Sequence, residues 1–560
     1  MRAKLGKDEK AVQEMLLSLD GQRLPERLWG KDPSLWKSDP SVQEKMRYRL
    51  GWLTIVQEMK AKAADITAFA PSVKASGITH VVLLGMGGSS LCPEVLRKTF
   101  GVASGYPNLI VLDTTDPATI LAAERAIDLK HSLFILASKS GSTIEMQSLY
   151  RYFAAKVAAV TGGEIGPHFM AITDPGSPLE VLAKKKAFRK IFLAPPDVGG
   201  RYSALTVFGL VPAALIGIDV AAFLNRAAEA MQRSAAALPI DKNEGIQLGT
   251  LLGTLGQAGR DKVTLIASES ISSFGIWAEQ LVAESTGKEG KGLVPIDGET
   301  IAPPEAYGDD RLFVYLRESS DANEALDEKV DRLQNAGHPV VRIPLSDRLD
   351  LAGQFFLWEM ATAVAAAILK VNPFDEPNVT ESKEMTAQVL SQFEQSGRLS
   401  LPDAVTVEGG IKLSGGLKKD KPSALEDVLR DFLLQTDPKS YVALMAYLPL
   451  SPEYDTLLQG LRQKIRERYR LATTLGYGPR FLHSTGQLHK GGAAIGRFIQ
   501  FTVDETEDID IPETSYSFGV LKRAQALGDF QALGRHGLPV LDIRLGKEIA
   551  ARLEKVIQAI

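Results

Sequence analysis

Two short loops carry residue types suited to holding an anion. Gly85-Met86-Gly87-Gly88-Ser89-Ser90 directly follows the apolar run Val81–Leu84, and Ser138-Lys139-Ser140-Gly141-Ser142-Thr143 directly follows Leu133–Ala137. Glycines let a backbone approach a ligand closely, and the first turn of a following helix offers unpaired N–H groups. The second loop adds four hydroxyls and a lysine at the start of the helical stretch Ile144–Val160. A single Ser or Thr there would be an ordinary helix cap, but four hydroxyls with a cation make a phosphate site. The first loop also invites a dinucleotide reading, with Asp113 at the end of the next strand as the ribose acid. That fingerprint wants Gly or Ala where Ser90 stands. Two such loops on successive crossovers fit a phosphorylated ligand in a crevice better than a pyrophosphate on one loop.

The elements that position these loops are strands alternating with helices. Leu109–Leu112 completes a first β-rich series. A second series begins near Lys262, with strands Val263–Ala267, Leu312–Leu316 and Pro339–Ile343 around helices Ile276–Ala283 and Ala322–Asn335. This rhythm predicts doubly wound parallel sheets whose carboxyl ends form the ligand edge. Residues 1 to about 70 read as helical, anchored by Trp29, Trp36 and Trp52. Ser414–Pro422 reads as a polar linker, and beyond it a third α/β series runs to Ile560. Two blocks repeat within the chain. Glu284–Gly292 aligns with His483–Gly491 at five of nine positions, and Gly337–Leu345 aligns with Gly537–Leu545 at nearly the same spacing. The third series is therefore expected to be a partial duplicate of the second.

Composition narrows the class. The chain has 560 residues, 45% hydrophobic and 24% charged, with a formal net charge of -4. That is the profile of a globular α/β enzyme of several domains, with no bulk charge for nucleic acid or an anionic membrane. One cysteine, Cys92, allows no intrachain disulfide, suits a reducing cytoplasm and reads as a small buried hydrophobe. No secretory signal opens the chain, and Leu351–Leu369 reads as a buried helix, not a membrane span. No pair of the seven histidines shows metal-ligand spacing with a carboxylate partner, so no metal is expected.

Four segments in order now point to a family. Ser138–Thr143 with Glu145 resembles the phosphate loop of sugar isomerase (SIS) domains. Asp197-Val198-Gly199-Gly200-Arg201-Tyr202-Ser203, Ala283–Lys288 and Asn372–Lys383 resemble the Gly-Gly-Arg, catalytic-glutamate and lysine motifs of phosphoglucose isomerases. The C-terminal lobe also resembles the isomerase part of bifunctional transaldolase/phosphoglucose isomerase proteins. The resemblance implies an α/β fold of two doubly wound SIS domains plus a C-terminal α/β lobe. The expected division is a helical segment over 1–70, SIS domains over 71–235 and 236–400, and the lobe over 401–560. It implies interconversion of glucose 6-phosphate and fructose 6-phosphate through an enediol, in glycolysis and gluconeogenesis, with no cofactor, a sugar phosphate as small-molecule partner, and a homodimer.

It also implies roles. Ser89, Ser138, Ser140 and Thr143 would hold the phosphate with Lys139 beside it. Glu284 would carry the proton between C2 and C1, Arg201 would steady the enediolate, Lys383 would assist ring opening, and Glu145 would orient the sugar or a water. The physics of the reaction asks for these types: a carboxylate able to take and return a proton, and a cation that cannot itself lose one. Three departures are visible. Glu376 stands where the family has Gln, Asn378 where it has Gly, and no histidine lies between Glu284 and His338, where short bacterial members carry a ring opener. His483 or His489, in the lobe, is the expected substitute. Other sugar-phosphate isomerases of this architecture, or a sugar-phosphate-binding regulator, are the alternatives. The regulator would not need Glu284.

Overall fold

The computed structural model describes residues 1–415, 424–434, 437 and 439–560. Most of the polar stretch read as a linker, 416–422, lies outside the described residues.

Three sheets organise the chain, and their parallel strands share one order. In the first, Asn108–Leu112, His80–Gly85, Ser132–Ala137, Phe169–Thr173 and Lys190–Leu193 lie side by side, all parallel. In the second the order is Arg2–Lys4, Val340–Leu345, Arg311–Glu318, Lys262–Ala267 and Val294–Ile296. In the third, Val540–Arg544, Gly496–Thr502, Tyr441–Ala446 and Ala472–Tyr477 follow the short edge strands Val405–Thr406 and Lys412–Ser414. Each time the first parallel strand is central, the second lies on one side, and the chain crosses back to the other. That reversal opens a crevice at the carboxyl ends of two neighbouring strands. In the first sheet those neighbours are His80–Gly85 and Ser132–Ala137, with Gly85 opposite Ala137. The two anion loops therefore leave adjacent strands at the switch point.

The second and third sheets also carry an antiparallel strand on the same edge, Arg2–Lys4 on Val340–Leu345 and Lys412–Ser414 on Val540–Arg544. Arg2–Lys4 is the one departure from a helical reading of the first residues. Its three side chains are exposed, so no apolar alternation marks it. The tryptophans anchor the rest of that segment: Trp29 and Trp36 donate through Nε1 to the carbonyls of Ser234 and Ala363, both at 2.8 Å.

The topology changes the meaning of the two repeated blocks. Gly337–Leu345 and Gly537–Leu545 both lead into the last parallel strand of their sheets. Glu284 lies in helix Phe274–Thr286, before the edge strand Val294–Ile296, whereas His483 comes after the edge strand Ala472–Tyr477. The Glu284 and His483 blocks are thus not equivalent positions of two copies. They pack against each other. The N–H of Gly290 donates to the carbonyl of Gly491 at 3.0 Å, and a Cβ on Gly287 would stand 2.4 Å from Leu488 Cα, a contact only glycine allows.

The lobe shares its core with the first domain. Phe518, Leu521, Ala524 and Leu527 of helix Phe518–Arg535 complete a cluster with Val82, Leu84, Leu136 and Phe153. A buried ion pair crosses the dock: Lys522 of the lobe reaches Asp116 of the first domain at 2.7 Å, while Glu505, within the lobe, holds the same ammonium at 2.6 Å. Removing one partner from such a buried pair costs about 3–5 kcal/mol, because the other charge is stranded. Leu351–Leu369 is a helix with all but one residue buried, set in the largest core beside Trp52 and Phe374. By length and composition its apolar run could cross a membrane, but 94% of the relevant window is buried inside the protein. Cys92 is fully buried in the same core.

Candidate active site

The second anion loop is shaped by its own hydroxyls. Ser138 Oγ lies 2.9 Å from Thr143 Oγ1 and accepts from the N–H of Gly141 at 3.1 Å. Ser140 Oγ lies 2.9 Å from Ser142 Oγ. Gly141 has φ +70°, and a Cβ there would stand 2.6 Å from the Leu179 nitrogen, so the turn requires glycine. Ser140, Ser142 and Thr143 face a cavity of about 260 Å³ that Glu145, Ser382, Lys383, His483 and Gln525 also line. Three parts of the chain meet here: the hydroxyl loop, the helix Pro377–Ser396, and the lobe.

Glu145 is buried at the cavity wall. His483 Nε2 stands 3.0 Å from its Oε1, and Gln525 donates to the same oxygen at 2.7 Å while accepting from Thr115 at 2.7 Å. Burial pushes this carboxyl up, but His483, followed by Lys383, overrules it and holds Glu145 below the ordinary value. An ionised Glu145 accepts only, so His483 Nε2 carries the hydrogen and Nδ1 is left for a ligand.

Glu284 and Arg201 form an adjoining pair. Arg201 Nη1 is 3.2 Å from Glu284 and 3.2 Å from Glu376. Its other nitrogens donate to Ser285 Oγ at 3.0 Å and to the carbonyls of Pro373 and Asp375 at 2.8 and 2.7 Å. Burial works against its charge, yet Glu284 and Glu376 raise its pKa. Glu284 moves the other way from Glu145. Burial raises it, Glu376 adds repulsion, and Arg201 offsets only part. Gln280 ties the pair to the cavity, donating to Glu284 at 3.1 Å and to the carbonyl of His483 at 2.8 Å.

Other expected residues sit elsewhere. Lys139 turns away from its loop, pairs with Asp174 and donates to the Pro196 carbonyl at 3.2 Å, so its charge is engaged off the cavity. His489 is sealed between Phe481 and Phe498 at ring distances of 5.9 and 5.1 Å. Neither of its nitrogens finds a partner, and burial holds it well below its ordinary pKa, so it stays neutral and out of reach. Ser138 shapes the loop and does not line the cavity, and Ser89 is buried in the tight turn Gly87–Ser89. The glycines of that turn meet protein: a Cβ on Gly88 would stand 2.1 Å from the Gly200 carbonyl, and one on Gly87 2.7 Å from that of His483. Asp113 accepts from Ser90 at 3.1 Å and Arg480 at 2.7 Å, which uses the would-be ribose acid to tie the lobe to the first sheet. The departures also find partners. Glu376 pairs with Arg201, and Asn378 exchanges two hydrogen bonds with Gln487 of the lobe at 2.9 and 2.8 Å.

Gln280, Lys288 and Gln525 take part without having been singled out in the sequence. Gln280, one helical turn before Glu284, could have been found from that spacing. Gln525 carries no local signal.

Comparison with known proteins points the same way. The phosphoglucose isomerase family model matches residues 54–304. The glucose-6-phosphate isomerase of Methanocaldococcus jannaschii is 27% identical over 353 residues, covering 57% of this chain and 86% of that protein. The enzyme of that name from Rubrobacter xylanophilus is 28% identical over 372 residues, covering 57% and 84%. Among solved structures, a hypothetical protein of Thermus thermophilus superposes with TM-score 0.59 at 24% identity, covering 71% of this chain and all of that one. A glucose-6-phosphate isomerase of Chlamydia trachomatis gives 0.51 at 19%, covering 61% and 75%. These superpositions show a shared fold.

Proposed function

We propose, from the match of residues 54–304 to the phosphoglucose isomerase family model, that the chain interconverts glucose 6-phosphate and fructose 6-phosphate. The observation that carries the proposal is the convergence on one 260 Å³ cavity of the hydroxyl loop, Lys383 and the Glu145–His483 pair, with Glu284 and Arg201 joined to it through Gln280.

In this reading Ser140, Ser142 and Thr143 bind the phosphate and Lys383 balances its charge. The cyclic sugar opens when the free Nδ1 of His483, oriented by Glu145, takes the proton of the C1 hydroxyl and passes it to the ring oxygen as the bond between C1 and that oxygen breaks. Glu284 then takes the proton from C2 and returns it to C1, while a proton passes between O1 and O2. Its raised pKa fits a group that must accept and then donate. Arg201 stabilises the enediolate with a charge that does not titrate. The place of His489 in the core supports His483 as the lobe's contribution. The proposal extends to a cytoplasmic homodimer acting in glycolysis and gluconeogenesis, which sedimentation and fractionation would test.

The direct test is a coupled assay of the purified chain on glucose, mannose and glucosamine 6-phosphates. Turnover of glucose 6-phosphate well above the other two is expected. Turnover of mannose 6-phosphate alone would reassign the substrate, and none on any of the three would remove the enzymatic reading.

A further inference from the structure

Lys288 follows the end of helix Phe274–Thr286, four residues beyond Glu284, and is almost wholly buried at 2% exposure. A buried ammonium is costly unless its protons are met, and this one is met three times. Its Nζ donates to the carbonyl of Asn372 at 2.5 Å, to Asp375 Oδ1 at 2.9 Å, and to the carbonyl of Asp375. The same turn receives Arg201 at the carbonyls of Pro373 and Asp375. Inside it, Asn372 Nδ2 donates to Asp375 Oδ2 at 2.7 Å, and the N–H of Phe374 donates to Asn372 Oδ1 at 3.0 Å. Two buried cations therefore clamp one five-residue turn. That turn presents Glu376 to Arg201 and launches the helix Pro377–Ser396 that carries Lys383 into the cavity.

We propose that Lys288 is a positioning residue for the reaction: its ammonium holds the Asn372–Glu376 turn, and through it Arg201 and Lys383, so that proton loss from Lys288 disarms the site. This rests on the isomerase reading for its catalytic consequence alone. The charged groups that act on the ammonium are Arg201 from the loop after Val198, Asp375 from the clamped turn, and Glu284 on the helix that precedes it; Glu376 is engaged with Arg201, and Lys291 with the Leu369 carbonyl. Lys37 of the N-terminal segment is engaged with Glu289 and the Lys370 carbonyl. Burial, then Arg201, pushes Lys288 down to about 8 against the pull of Asp375 and Glu284. The clamp is therefore complete below about pH 8 and weakened as pH rises through it, because the neutral amine keeps only two of its three donors and no charge. Above that point Asp375 loses its cation, and of the two cations only Arg201 still holds the turn.

The test has a catalytic and a non-catalytic arm. Trp36 packs edge-on to Phe374 in the clamped turn, ring centroids 5.1 Å apart, so tryptophan fluorescence reports the turn. The wild-type chain should show a fluorescence transition near pH 8 that Lys288→Arg, charged throughout, moves at least about one pH unit upward. The kcat for glucose 6-phosphate should fall through the same range in wild type and hold further up in Lys288→Arg. Lys288→Met should lose about tenfold or more in kcat at pH 7, while inorganic phosphate binding, measured by calorimetry, changes less than about threefold. A wild-type titration without a transition, or one that Lys288→Arg leaves in place, overturns the proposal without need of a folded Met variant. A transition that moves as expected in a chain lacking isomerase activity keeps the clamp and removes the isomerase reading instead.

Discussion

Glu145 and Glu284 are both buried carboxylates at one crevice, and they are driven in opposite directions. Glu145 meets a single ring nitrogen and one amide and is held low. Glu284 lies against a guanidinium and is nonetheless raised, because burial, with the repulsion of Glu376 added, outweighs what Arg201 offsets. Proximity of a cation is thus a poor guide to charge state. What decides is the balance of burial, like charges and cations around the group. In the proposed mechanism the same contrast separates their tasks, a fixed anion orienting His483 and a base that must release what it takes.

The largest effect should come from the raised carboxylate. Glu284→Gln keeps shape and burial but cannot accept a proton, so turnover should drop at least about a hundredfold with substrate binding retained. Near-normal turnover would move the base elsewhere. On the Glu145 side, His483→Ala should lose turnover on the cyclic sugar but still exchange the C2 proton of open-chain substrate. His489→Ala should change stability and leave ring opening intact. Equal loss of both activities in His483→Ala would make the pair structural.

The anion loop comes next. Ser140→Ala with Thr143→Ala should weaken sugar-phosphate and inorganic phosphate binding together, each charge-assisted bond being worth about 1.5–3 kcal/mol before compensation. Unchanged affinities in calorimetry would place the phosphate elsewhere. The smallest effect sharpens the comparison itself. Glu376→Gln removes a like charge from Glu284, so its pKa should fall and the acid limb of kcat/KM should move to lower pH, since Glu284 is a competent base only above its pKa. An acid limb that stays put, or moves up, would deny the repulsion between Glu376 and Glu284.

Strand and loop identities were plain in the sequence because they depend on neighbours in the chain. The runs Val81–Leu84 and Leu133–Ala137 lie inside His80–Gly85 and Ser132–Ala137, and the hydroxyl loop sits between strand and helix as its composition demands. The repeat between Glu284–Gly292 and His483–Gly491 was equally visible, yet its spacing suggested equivalent positions where the chain places facing ones. Sequence similarity registers residue types, not the strand on which a segment hangs.

The sequence alone determined which loop carries hydroxyls suited to an anion, which carboxylate, arginine and lysine could accompany it, and that no histidine lies between Glu284 and His338. Tertiary structure alone decided which histidine of the lobe lines the cavity. His483 and His489 are six residues apart and chemically identical, but one faces Glu145 across the crevice and the other is sealed among Phe481 and Phe498. It also decided that Lys139, the cation within the hydroxyl loop, would spend its charge on Asp174, while Lys383, more than two hundred residues away, reaches the cavity. The physical reason is common to both. A side chain's type fixes what it can do, but its partners and its exposure are set by packing between segments far apart in the chain, and local sequence carries no term for that.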